Sequence, residues 1–209
     1  MTAVLTKRQE NALKTRQKLL DVTDELIKEK GFNKLSICDI TERAGLAKGT
    51  FYIYFKHKEE IVLEICKNLF KETQLKLDEI KDSNITEKLC LYFDCFIKEV
   101  QSYKIHIVRE WIKGLVEKNE VSDSMGAIKW QYDNEMLKNI ISAAIENKEL
   151  KAETPIDTLA KIILCELYGM MTCWCMSDGE FNPEKNVKEF CEIQLKVILN
   201  NYLMEMVKI

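Results

Sequence analysis

The residue run with the most evident chemistry is Lys48-Gly49-Thr50-Phe51-Tyr52-Ile53-Tyr54. On a helix that offers its exposed face to DNA, Lys48, Gly49, Thr50, Tyr52 and Tyr54 supply hydrogen-bond donors, a small residue and flat polar rings. These are the groups that fit the major groove of DNA and its bordering phosphates. Ile53 can offer only an apolar contact, which suits a thymine methyl. Phe51 and Phe55 have no such use and are the expected anchors of the helix.

Other chemistry is weakly indicated. The chain has two histidines, no phosphate-cradling glycine loop, no His-Glu-x-x-His and no serine-histidine-aspartate arrangement, so the sequence points away from an enzyme. Glu166 lies in an apolar stretch, where a carboxylate needs a partner; Arg109 is an available internal one, and a cationic ligand is the alternative. Trp111, Trp130, Met170 and Trp174, with Glu166, are candidates for lining a small-molecule pocket, although such residues also fill ordinary cores. Cys173 with Cys175 and Cys90 with Cys95 raise a thiol- or metal-responsive alternative. Neither pair has C-x-x-C spacing and neither histidine stands in register with them, so no metal site and no cofactor are expected. Eight cysteines, mostly at apolar helical positions, are expected to be free thiols.

These residues must be positioned by helices. Of 209 residues, 46% are hydrophobic and 31% charged, with only 7 Gly and 2 Pro, which describes a globular chain rich in helix and poor in turns. Nine helices and no strand are expected. The first runs from about Lys7 to Lys30, with Leu19, Leu20, Thr23, Leu26 and Ile27 on one stripe and Gly31 as its stop. Ser36 and Asp39 have capping-box spacing for a short helix over 37–44, and Gly45 opens a tight turn into a second over 47–54. A long amphipathic helix from Lys58 connects to helices over 85–101, 105–118 and 124–148. Thr154-Pro155 and Asn182-Pro183 each mark a capped start with proline at the first helical position, and Asp178-Gly179 turns between these last two helices.

Charge divides the chain. Residues 1–58 hold 12 Lys and Arg against 7 Asp and Glu, whereas 59–209 hold 19 against 27. A polyanion would therefore meet the N-terminal part. The N-terminus lacks a signal-type apolar stretch, and the longest apolar run, 162–176, is interrupted by Glu166, so a cytoplasmic protein without a membrane partner is expected.

The segment from Ile40 to Glu59, with its core RAGLAKGTFYIYF, and the preceding Gly31-Phe32 resemble the N-terminal pattern of the TetR family of regulators over about 50 of 209 residues. The resemblance implies an all-α, nine-helix fold, with a helix-turn-helix DNA-binding domain over 1–56 and a helical ligand-binding and dimerisation domain over 57–209. It also implies a ligand-responsive regulator, most often a repressor, that binds near-palindromic operator DNA as a homodimer through its last two helices and is released by a small-molecule effector. By position, Lys48, Gly49, Thr50, Tyr52, Ile53 and Tyr54 match the recognition helix, Ser36 the phosphate-contacting start of the second helix, and Lys58 that of the fourth. Two residues depart from the pattern. Ala47 stands where a capping serine is usual, and His57 where serine or asparagine caps the fourth helix; His57 is read as a solvent-facing turn residue. A helical scaffold that does not bind DNA is the remaining alternative.

Overall fold

The computed structural model describes residues 6–116 and 125–204. In chain order the helices are α1 (Lys7–Lys30), α2 (Ile37–Arg43), α3 (Lys48–Tyr54), α4 (Lys58–Glu79), α5 (Ile85–Gln101), α6 (Ile105–Val116), α7 (Met125–Glu146) and α8 (Ile156–Met176). The last helix is α9 (Pro183–Glu189), a π-helical turn over Phe190–Leu195, and α10 (Lys196–Asn200). Among the described residues the only extended pairing is an isolated bridge between Leu150 and Leu203. The expected break over Glu117–Asp123 lies outside the described residues.

Two compact units form, Met1–Leu69 and Phe70–Ile209. The sequence reading put the boundary at 56/57, whereas the units divide within α4. Ile61, Val62 and Ile65 are buried and belong to the first unit, so the opening turns of α4 complete its core.

In the first unit α1 buries Leu19, Leu20, Thr23, Leu26 and Ile27, the three- and four-residue spacing of one helical face. Thr6 and Gln9 form a reciprocal capping box at its start, and Gly31 ends it at φ 81°. The α2 box is formed as its spacing predicts, with Ser36 as N-cap and Asp39 closing the pair. Gly45, at φ 63°, makes the turn into α3, a conformation costly for any residue with a Cβ.

In the second unit α8 packs on α5, α6, α7 and α9. It is 21 residues long and apolar enough to cross a membrane by length and composition, because its apolar content extends N-terminal to the run interrupted by Glu166. Within the unit it buries Leu159, Ala160, Ile163, Leu164, Leu167, Met170, Met171 and Cys175. The proline at its start departs from expectation by one residue: Pro155 is the N-cap, without a side-chain cap, and Thr154 instead donates to the Lys151 carbonyl at 2.6 Å. At α9 the expectation is met, with Asn182 accepting from the Lys185 amide at 2.9 Å and Pro183 opening the helix.

Candidate nucleic-acid interface

The head holds α3 from behind. Phe51 is 0% and Phe55 2% exposed, with ring centroids 5.6 Å apart. Burial of each such ring contributes about 1.5–3 kcal/mol, so the rotation of α3 about its own axis is firmly set. That rotation turns Lys48, Gly49, Tyr52 and Ile53 to solvent, with Thr50 and Tyr54 half-buried at the edges. A Cβ at Gly49 would meet no atom within 4 Å, so the surface there is open to a close approach. Ala47 has the extended conformation of an N-cap, φ −69° and ψ 145°, but no side chain caps the first amides of α3.

The two other predicted contact residues are engaged within the head. The Ser36 hydroxyl donates to Asp39 Oδ2 at 2.5 Å and accepts from the Asp39 amide at 3.2 Å. The Lys30 ammonium lies 2.7 Å from Asp39 Oδ1, and with the Ser36 hydrogen bonds it holds the Asp39 carboxyl far below its ordinary value. Lys58 donates its ammonium to the carbonyls of Phe32 at 3.2 Å and Leu35 at 3.1 Å and lies 4.3 Å from the centre of the Phe32 ring. Its charge thus ties the start of α4 to the α1–α2 turn. Glu60 accepts from the Lys56 amide at 2.6 Å, holding the chain just before α4, while His57 stands exposed beside Glu59. Two arginines of this unit are also committed, Arg16 to Glu64 and Arg43 to Glu29, both bidentate.

α3 is thus a short helix anchored by Phe51, with an exposed face that Lys48 opens, set on a tight α2–α3 turn. The profile of the family described as bacterial regulatory proteins, tetR family, matches residues 19–65, from the buried stripe of α1 into α4. Residues 19–65 thus carry the N-terminal segment typical of that family, as the resemblance of Ile40–Glu59 implies. The chain is 46% identical over 65 residues to the uncharacterized HTH-type transcriptional regulator YvdT of Bacillus subtilis (strain 168); that match spans 31% of this chain and about a third, 32%, of the relative. It is 25% identical over 171 residues to the fatty acid metabolism regulator protein of the same organism, covering 78% of this chain and 85% of that one. Among solved structures it is similar in fold to the transcriptional regulator FadR from Bacillus subtilis in complex with stearoyl-CoA, with TM-score 0.66, 21% identity, and 85% and 96% of the two chains covered.

In the body, the candidate pocket residues have diverse surroundings. Glu166 is half-buried and Arg109 is not its partner: Arg109 donates to the Cys175 carbonyl at 3.0 and 2.6 Å and to Asp178 at 2.7 Å, closing the C-terminal end of α8. Met170 is buried, at 5% exposure. Trp111 meets Tyr103 edge-on, centroids 4.3 Å apart, and its Nε1 is a buried donor without an acceptor among the described residues. Trp174 is half-buried, and its carbonyl accepts from the Gly179 amide at 3.0 Å in the turn that Asp178 and Gly179 make at φ 54° and 91°. Trp130 meets Tyr168 edge-on at 5.1 Å.

The buried carboxylate of the body is Asp133, 1% exposed, which the sequence reading did not single out. Tyr92 donates to its Oδ1 at 2.7 Å and Tyr168 to its Oδ2 at 3.0 Å. Lys129, one helical turn earlier, lies 3.2 Å away. Burial, and then the Asp133 charge, push the Tyr92 phenol well above its ordinary value, which keeps it a proton donor. The Lys129–Asp133 spacing of four was the available sequence signal.

Cys38, Cys165 and Cys173 are exposed, Cys90 and Cys95 half-buried, and Cys175 and Cys191 buried; all seven are free thiols. The packed positions expected for them hold for only part of the set. Among the described residues no three His, Cys, Asp or Glu side chains are grouped as a metal site would need.

Proposed function

We propose that this chain is a TetR-family transcriptional regulator, a cytoplasmic repressor that binds a near-palindromic operator as a homodimer and is released by a small-molecule effector. The observation that carries the reading is the face of α3. Its exposed residues, Lys48, Gly49, Tyr52 and Ile53, are groove-compatible, while the opposite face is fixed by buried Phe51 and Phe55.

Dimerisation is supported by apolar residues left uncovered on the last two helices. Ile162 and Met176 on α8, Ile193 in the π-helical turn and Val197 on α10 are exposed, Val197 at 70%. A two-fold pairing of these helices would cover them and present two copies of α3 to successive major grooves about 34–36 Å apart. Effector sensing is supported by the similar B. subtilis structure, which was solved with stearoyl-CoA. An effector that favours a DNA-incompetent arrangement must lower operator affinity by the same factor by which operator lowers its own.

The test is to incubate the purified protein with fragments of its source genome, sequence the bound fraction, and repeat at higher salt. One or a few enriched near-palindromes surviving the salt step are expected, and placing one before a reporter promoter should reduce expression when the protein is present. Diffuse, salt-labile binding with no enriched site would reject the operator reading and favour a scaffold.

A further inference from the structure

We infer that the Asp133 cluster is a binding site for an organic cation, an amine or quaternary ammonium with an apolar or aromatic body, which takes the place now held by the Lys129 ammonium. The inference deepens the effector-sensing reading above and rests on it for its regulatory consequence.

The cluster has the composition of a cation receptor, with a resident cation in it. Lys129 Nζ lies 4.6 Å from the centre of the Phe96 ring and 5.5 Å from that of Phe70, and within 3.2 Å of the Asp133 carboxylate. Aromatic faces together with a buried carboxylate attract a positive charge through both the ring quadrupoles and the ion pair. Tyr92 and Tyr168 fix the carboxylate from the side by donating one hydrogen bond to each oxygen. Tyr168 is itself packed against Phe96 and Trp130, centroids 5.5 and 5.1 Å apart. The carboxylate and the rings are therefore held in place by α4, α5, α7 and α8, and an entering ligand has only the Lys129 side chain to move from the carboxylate.

Charge accounting selects the ligand class. A neutral molecule that displaced Lys129 would leave Asp133, 1% exposed, without its counter-charge, and an anion would add a second negative group beside it. Only a cation exchanges with Lys129 while keeping the buried carboxylate paired. Lys129 is suited to leave: its side chain is 21% exposed against 1% for Asp133, and its long stem lets the ammonium turn out to water while the backbone stays in place. A cation without N–H groups loses nothing against the ring faces, since those contacts need no hydrogen bond.

Three probes sharing one benzyl ring test this: benzyltrimethylammonium, benzyl alcohol and phenylacetate, titrated into the full-length protein by tryptophan fluorescence and calorimetry. Saturable binding of benzyltrimethylammonium, at least tenfold tighter than of the other two, is expected. Lys129→Met removes the resident competitor and is expected to tighten it at least tenfold further and to raise Tm with the cation only. The paired variant Lys129→Met with Asp133→Asn keeps the volume without the charges and should lose the response. Should Lys129→Met alone not fold, the wild-type titration against this paired variant decides. Equal response to all three probes, no saturable response, or binding retained in the paired variant would overturn the site. Operator affinity is measured in parallel. Cation binding with unchanged operator affinity keeps the site and removes its regulatory role for this probe; operator recovery without cation binding keeps the regulator and removes the site.

Discussion

The Lys58 ammonium sits 4.3 Å from the centre of the Phe32 ring and donates to the Phe32 carbonyl at 3.2 Å, so a residue placed by family resemblance on the DNA phosphates is used to close the head. The two roles differ in what they predict. A phosphate contact contributes about one unit to the slope of log affinity against log salt. Lys58→Met should leave that slope unchanged within error while lowering the stability of the head by about 1.5–3 kcal/mol, the range for hydrogen bonds to a charged donor. Denaturation together with operator titration at several salt concentrations checks both. A slope reduced by about one, with stability intact, would return Lys58 to the phosphates.

Asp39 supplies a pH prediction. Its carboxyl is held far below the ordinary 3.8 by the Lys30 and Ser36 hydrogen bonds. A folded-state value below the unfolded one means the group contributes stability that is fully present above the ordinary value and is lost as pH falls through the folded one. Asp39→Asn should therefore lower Tm at neutral pH, and the difference from wild type should narrow once the pH falls below about 4. A difference independent of pH between 7 and 3 would assign the loss to the cap geometry alone.

Ala47 leaves the first amides of α3 without a side-chain acceptor, although its backbone already has N-cap dihedrals. Ala47→Ser needs no backbone change and should add about 1 kcal/mol to the stability of the head. Hydrogen exchange should slow at the first amides of α3 and little elsewhere. No slowing there would mean that DNA-free α3 is held by Phe51 and Phe55 alone.

Ile193 and Val197 stand four residues apart, 64% and 70% exposed, on the uncovered side of the last helix. Replacing both by glutamate adds charge where a partner helix would bury it and removes nothing from the monomer's own core. Sedimentation should show a dimer for the wild type and a monomer for the pair, with far-ultraviolet circular dichroism unchanged. An unaltered sedimentation coefficient would place the dimer contact elsewhere or abolish it.

The head was legible because its chemistry is consecutive. From Ser36 to Phe55 the caps, the Gly45 turn, the buried rings and the exposed face all depend on neighbours within a few residues, and local rules suffice. The body's key cluster was not, since Asp133 is buried by Tyr92 and Tyr168, 41 and 35 residues away. Glu166 drew attention because its sequence neighbours are apolar, yet it falls on a half-exposed face of α8, so apolar company along the chain did not mean an interior position. Arg109 illustrates the same limit, its real acceptors being set by where α8 ends. The π-helical turn over Phe190–Leu195 carries no glycine or proline and has no local signature. The division within α4 was hidden because the amphipathic pattern runs unbroken through Leu69.

Ile53 is 75% exposed on α3, flanked by Tyr52 and Tyr54, and has no packing role in the head that would explain a large apolar side chain there. An isoleucine held out to solvent on a groove-reading face can discriminate only through apolar contact, for which the major groove offers the thymine methyl. Ile53→Asn replaces that contact with a paired donor and acceptor suited to adenine N6 and N7. Stability should be unchanged, because nothing buried is removed. The recovered operator should change at a single base pair in each half-site, with the original operator bound more weakly by about 1–3 kcal/mol and the salt slope unaltered. If the enriched site is the same for both proteins, Ile53 faces away from the bases, and the specificity of α3 lies with Lys48, Thr50, Tyr52 and Tyr54.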